Sequence, residues 1–108
     1  MVIHEAYGLN QNIREVSARL ADLGYAALAV DLLKGRNRAI CMFRLMSGVV
    51  SGSLERYGMA ELRAALDHLA ARAEVDPARL GSIGISMGGG FAIALACMDT
   101  RLKVIAPF

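Results

Sequence analysis

The chain has 108 residues, of which 56% are hydrophobic, 20% charged and 6% aromatic, with a formal net charge of +2. An apolar fraction above the roughly 45–50% of an average globular chain excludes intrinsic disorder, and a scattered charge of this size excludes a nucleic-acid surface. Two distant cysteines, Cys41 and Cys97, and two histidines, His4 and His68, make neither a disulfide framework nor a zinc site, so no metal or cofactor is expected.

Met1-Val2-Ile3 is a short apolar run that stops at His4, as the last part of a buried strand does. A loop over Tyr7-Gly8-Leu9-Asn10 follows. Asn12 and Glu15 have the spacing of a capping box, and Ile13, Val16, Leu20 and Leu23 then recur at helical intervals. Gly24 stands where a left-handed residue closes such a helix. The continuous apolar run over residues 25–30 predicts a buried parallel strand ending at Asp31.

Residues 34–53 have no clean period. Lys34, Gly35, Arg36, Asn37 and Arg38 read as a loop and residues 40–45 as a short helix. The basic set Lys34, Arg36, Arg38 and Arg44 fits a solvated loop better than a site for a carboxylate substrate. Further on, Met59, Leu62, Leu66 and Leu69 form a helical stripe, with His68 beside it as a surface residue. Asp76-Pro77 marks a turn.

Residues 80–98 carry no charge, a length that a membrane-spanning helix would need. Gly81, Gly84, Gly88, Gly89 and Gly90 would each cost such a helix roughly 1 kcal/mol relative to alanine. The stretch therefore divides into a buried strand over 80–85, a tight turn, and a helix from Met87 in which Cys97 packs into the core. A last strand covers 102–106. Alternating strands and helices predict an α/β fold with a doubly wound, mainly parallel sheet in three αβα layers. No secretory leader is visible, and the reading is of a cytoplasmic chain with no membrane or nucleic-acid partner.

The chemistry concentrates at Ser86. Gly84-Ile85-Ser86-Met87-Gly88 is a G-x-S-x-G pattern between a strand and a helix, the context of a nucleophile elbow. Glycines on either side remove side chains that would collide in so sharp a turn. The serine hydroxyl is thereby raised at the strand's carboxyl end, where unpaired helix N–H groups favour developing negative charge. A glycine-rich turn that merely packs closely, or that binds phosphate, is the rival reading, but neither dinucleotide nor P-loop spacing is present.

The runs His4-Glu5-Ala6-Tyr7-Gly8-Leu9-Asn10, then residues 20–32, then residues 76–90 resemble the dienelactone hydrolase family of α/β-hydrolases. The likeness extends over nearly the whole chain outside residues 36–53. It implies a partial α/β-hydrolase domain over 1–108, without the fold's first strands and without the later part that bears its Asp and His. It also implies hydrolysis of a small-molecule ester or lactone through an acyl-enzyme, with no cofactor. Ser86 matches the nucleophile position, where the family's usual residue is cysteine, which points to serine-esterase chemistry and away from the usual dienelactone substrate. The backbone N–H groups of Ala6 and Met87 match the oxyanion donors. Glu5 matches a glutamate that touches the resting nucleophile in cysteine members; beside a serine it equally fits orienting the loop or pairing with an arginine.

A hydrolase of this fold presents its triad in the order Ser, acid, His. After Ser86 the only acid is Asp99 and there is no histidine, so His4 or His68 would have to act from upstream. The expectation is an internal or truncated part of a hydrolase roughly twice as long, negligibly active alone. A carboxylesterase or peptidase of the same fold, and a non-catalytic α/β binding module that keeps the elbow as scaffold, are the alternatives.

Overall fold

The computed structural model describes residues 1–34, 37–52 and 58–108. Gly35 and Arg36 of the expected loop, and Ser53, lie outside the described residues. Eight elements follow in order: β1 (Val2–Ile3), α1 (Gln11–Asp22), β2 (Ala29–Val30), α2 (Arg38–Ser51), α3 (Met59–Ala70), β3 (Leu80–Gly84), α4 (Met87–Met98) and β4 (Leu102–Pro107). The strands form one sheet in the order β2-β1-β3-β4, and every pairing is parallel.

β1 lies between β2 and β3, with Val2 opposite both Ala29 and Ile83 and Ile3 opposite Val30 and Gly84. Val2 and Ile3 point to opposite faces and both are fully buried, so the sheet is covered on two sides. On the Ile3 side, Leu80, Phe91, Ala92 and Leu95 pack with the α3 stripe Met59, Leu62, Leu66 and Leu69 and with Cys41 and Leu45 of α2. α1 contacts β1 and β2 without joining that cluster, and buries Ile13.

Local signals explain the helix ends, and the structure corrects several of the expectations. The cap of α1 is Asn10, not Asn12: its Oδ1 accepts the Ile13 N–H at 3.1 Å. At the other end Gly24, at φ +90°, donates to the Ala21 carbonyl and Tyr25 to the Leu20 carbonyl, the paired bonds of a Schellman motif. Leu23, expected on the apolar stripe, is therefore the exposed helix cap. The strand expected over 25–30 is only Ala29–Val30, and Tyr25 is exposed. Among the described residues β2 pairs with β1 alone, Ala29 opposite Val2 and Val30 opposite Ile3.

Cys97 is exposed rather than in the core. The buried face of α4 runs through Phe91, Ala92 and Leu95, and position 97 falls on the opposite side with exposed Ile93. The short helix expected over 40–45 is the 14-residue α2, started by Asn37, whose Oδ1 accepts the Ala39 N–H, and ended at Gly52 with φ +69°.

Candidate functional site

Ser86 is the one non-glycine residue with positive φ among the described residues, at φ 53° and ψ −115°. These are the angles of the second residue of a type II′ turn, a position that favours glycine because a Cβ crowds the backbone there. The turn closes as such a turn should, with the Gly88 N–H donating to the Ile85 carbonyl at 2.9 Å. Strain of this kind costs on the order of 1–3 kcal/mol and persists only where surrounding contacts over-determine it.

Those contacts come from both neighbouring strands. The Ile85 N–H donates to the Ile3 carbonyl at 3.1 Å and the Ser86 N–H to the Phe108 carbonyl at 2.7 Å, while the Phe108 N–H returns to the Gly84 carbonyl. The two glycines of the motif are needed for space rather than for torsion. A Cβ on Gly84 would run into the Gly88 carbonyl, and one on Gly88 would run into the Ile3 and His4 carbonyls. The first turn of α4 is thus pressed against the carboxyl end of β1.

That close approach brings the loop after β1 to the same rim as Ser86. Glu5-Ala6-Tyr7-Gly8 is a tight turn, closed by the Gly8 N–H on the Glu5 carbonyl at 3.2 Å, with Gly8 at φ +79°. Its Ala6 is exposed, and neither the Ala6 nor the Met87 N–H donates to a backbone carbonyl among the described residues. The Ser86 side chain is exposed and makes no capping bond to its own helix. A strained serine at a helix N-terminus, with an unspent Met87 N–H there and an unspent Ala6 N–H on the turn after β1, can receive a carbonyl carbon and its developing oxyanion.

The remaining candidates are placed elsewhere or otherwise engaged. The Glu5 carboxylate takes a hydrogen bond from Asn10 Nδ2 at 2.5 Å, so Glu5 ties the turn to the α1 cap. His4 is fully buried, with Nε2 accepting the Leu32 N–H at 3.0 Å and Nδ1 on the Glu5 carbonyl at 2.5 Å. A donor aimed at Nε2 requires a lone pair there, which puts the proton on Nδ1 and leaves neither nitrogen for a base; Asp31 Oδ1 stands 3.9 Å off. His68 is exposed on the second half of α3, beside a shallow cleft it shares with Ala26, Leu28, Arg72 and Glu74 at the amino ends of the strands. That cleft is at the wrong end of the sheet for Ser86.

Asp99 caps the far end of α4, a helix length of about 18 Å from Ser86. It is buried and held by Arg101 at 2.6 and 2.9 Å, with Arg63 at 4.0 Å. The Arg101 guanidinium lowers its carboxyl to about 2. Arg101 also reaches Asp67 on α3 at 2.6 Å, so this is a lock between α3, α4 and β4. Among the described residues no group of His, Cys, Asp or Glu could hold a metal ion.

Sequence reasoning missed Asn10, which had a signal, an Asn three residues before the first buried helical position. A histidine that ends a strand is expected to be a hydrogen-bonded structural residue, as His4 is, although its partner 28 residues away left no trace in the sequence.

The family model described as the dienelactone hydrolase family matches residues 1–108. A Methylorubrum extorquens protein named "Putative carboxymethylenebutenolidase" is 34% identical over 106 residues, covering 95% of this chain and 36% of that protein. "Putative hydrolase YtaP" of Bacillus subtilis is 36% identical over 94 residues, covering 82% of this chain and 30% of its own length. The chain therefore spans about a third of the curated relatives it matches. A solved structure titled "m3DLH" superposes with a TM-score of 0.80 at 42% identity, over 96% of this chain and 44% of that one.

Proposed function

The chain belongs to the dienelactone hydrolase family, and from that premise we propose that it forms the nucleophile-bearing part of a serine hydrolase that cleaves ester or lactone bonds. The observation that carries this reading is the backbone of Ser86, at φ 53° in a turn built for glycine. Nothing in the packing of a plain strand–helix link calls for a serine there.

In this mechanism the Ser86 oxygen attacks the substrate carbonyl carbon and the carbonyl oxygen becomes an alkoxide. The Met87 and Ala6 N–H groups receive that charge. Collapse of the intermediate expels the alcohol and leaves an acyl group on Ser86, which water removes by the same path. Glu5 acts at one remove: by holding Asn10 it fixes the turn that carries the Ala6 N–H. The serine proton needs an acceptor, and His4 is occupied while His68 is remote. On these residues alone turnover is slow, and an imidazole and a carboxylate outside them complete the cycle.

A fluorophosphonate probe tests the assignment. Prolonged labelling of the folded chain, mapped by peptide mass, is expected to place the adduct on Ser86 in preference to the other serines, and Ser86→Ala removes it. Equal, slow modification of all serines would leave the elbow as scaffold only.

A further inference from the structure

α2 is apolar on two faces. Cys41 and Leu45 turn into the core, whereas Ile40, Phe43, Met46 and Val50, at spacings of three and four, lie along the opposite side with exposures of 53%, 75%, 44% and 85%. A helix that is apolar all round is ordinarily covered all round. Scattered exposed apolar residues need no explanation, but four large ones on one helix face do.

The charge along this segment has one sign. Residues 34–52 contain Lys34, Arg36, Arg38 and Arg44 and no acidic residue, while the rest of the chain carries eight basic and ten acidic residues. Topology places the segment on a particular side. It leaves β2 at that strand's carboxyl end and returns to α3, which must start at the same end to lead back into β3. α2 is therefore an excursion on the rim that carries Ser86. A second copy docking symmetrically would set α2 against α2 and bring the two basic segments together, which disfavours that occupant. An apolar stripe flanked by arginines, without acids, suits an anionic amphiphile layer.

We propose that α2 is an interfacial helix by which this chain docks on an anionic lipid surface, with Ile40, Phe43, Met46 and Val50 at the acyl boundary and its basic residues among the headgroups. No described helix is long and apolar enough to cross a membrane, but docking needs only a surface. This departs from the expectation of no membrane partner, and it stands apart from the reading of Ser86.

The chain lacks tryptophan, so Phe43→Trp gives a single fluorescent reporter on the stripe. Phosphatidylglycerol-containing vesicles are expected to shift its emission to the blue and brominated acyl chains to quench it, with added salt reversing both. The control Ile93→Trp, on the outer side of α4, should respond to neither. In co-sedimentation, Arg38→Gln with Arg44→Gln should weaken binding roughly 25-fold, about fivefold per cation, and Phe43→Ser with Val50→Ser roughly tenfold or more. Ser86→Ala should bind as the parent does, which separates this outcome from failure of the hydrolase reading. A folded Phe43→Trp chain whose emission ignores these vesicles, or binding that survives both double substitutions, overturns the proposal. A dimer dissolved by Phe43→Ser in the absence of vesicle binding assigns the stripe to a second copy instead.

Discussion

Two glycines two residues apart in α4 should respond to alanine in opposite directions. At Gly90 an added Cβ meets nothing within 4 Å, so alanine keeps only its gain in helix propensity and stabilises by about 0.5–1 kcal/mol. At Gly88 the same Cβ would overlap the Ile3 carbonyl and stand 2.7 Å from that of His4, and both are backbone atoms at the end of a paired strand. Overpacking of this sort costs about 1–3 kcal/mol, and after the propensity gain Gly88→Ala should still lose about 1–2 kcal/mol. The two variants then differ by about 1.5–3 kcal/mol, roughly 6–24 °C in Tm for a domain of this size. Urea unfolding followed by circular dichroism measures it directly. Gly88→Ala should also slow labelling of Ser86, because relief of the clash moves α4 away from the oxyanion turn. Equal stability of the two variants would refute the close approach on which the site's geometry rests.

Ser86→Gly should raise stability by about 1 kcal/mol in urea while abolishing labelling, since glycine adopts the observed φ and ψ without strain; a loss of stability would mean that the turn is not strained. Asn10→Ala removes the α1 cap and the partner of Glu5, and should cost about 1–2 kcal/mol by the same assay, whereas a change below about 0.3 kcal/mol would show the cap idle. Because Arg101 holds the Asp99 carboxyl at about 2 against an ordinary 3.8, its contribution is complete above about pH 4 and fades as pH falls towards 2. The urea midpoint should fall across that window, and in Asp99→Asn this part of the fall should vanish. Ellman's reagent should titrate Cys97 in the native chain and reach Cys41 only on unfolding.

Much of this could be read from residue pattern because the decisive signals were local. The stripe Met59, Leu62, Leu66 and Leu69 predicted the buried face of α3, and the G-x-S-x-G spacing located the strand–turn–helix at Ser86. Where reading failed, the deciding partner lay far along the chain. Residues 25–28 have strand composition, but only Ala29 and Val30 pair, with Val2 and Ile3 far back in the chain. Its apolar surroundings point Cys97 at the core, but the burial of α4 is set by which face meets the sheet, and apolar residues on every side hide that phase. The outer stripe of α2 is hidden in the sequence for the same reason: two apolar faces superimposed on one helix erase the period that marks either. At the site, Ser86 and Met87 follow from the motif. The engagement of His4 and Glu5, which decides whether either can touch the nucleophile, is a property of the folded turn.

β1 supplies two residues to the sheet, yet its pairing with β3 joins Val2 to Ile83 across about three-quarters of the chain. Closing a loop of about 80 residues costs about 4 kcal/mol in the length-dependent part of the chain entropy alone, and pairings this non-local slow folding. The Ile85 bond to Ile3 and the seat of Gly88 against β1 exist only after that closure. The serine's unusual backbone therefore depends on the assembled sheet and is not a trait of its pentapeptide alone. Reactivity at Ser86 should disappear together with the global unfolding transition, which makes this one hydroxyl a gauge of the intact population.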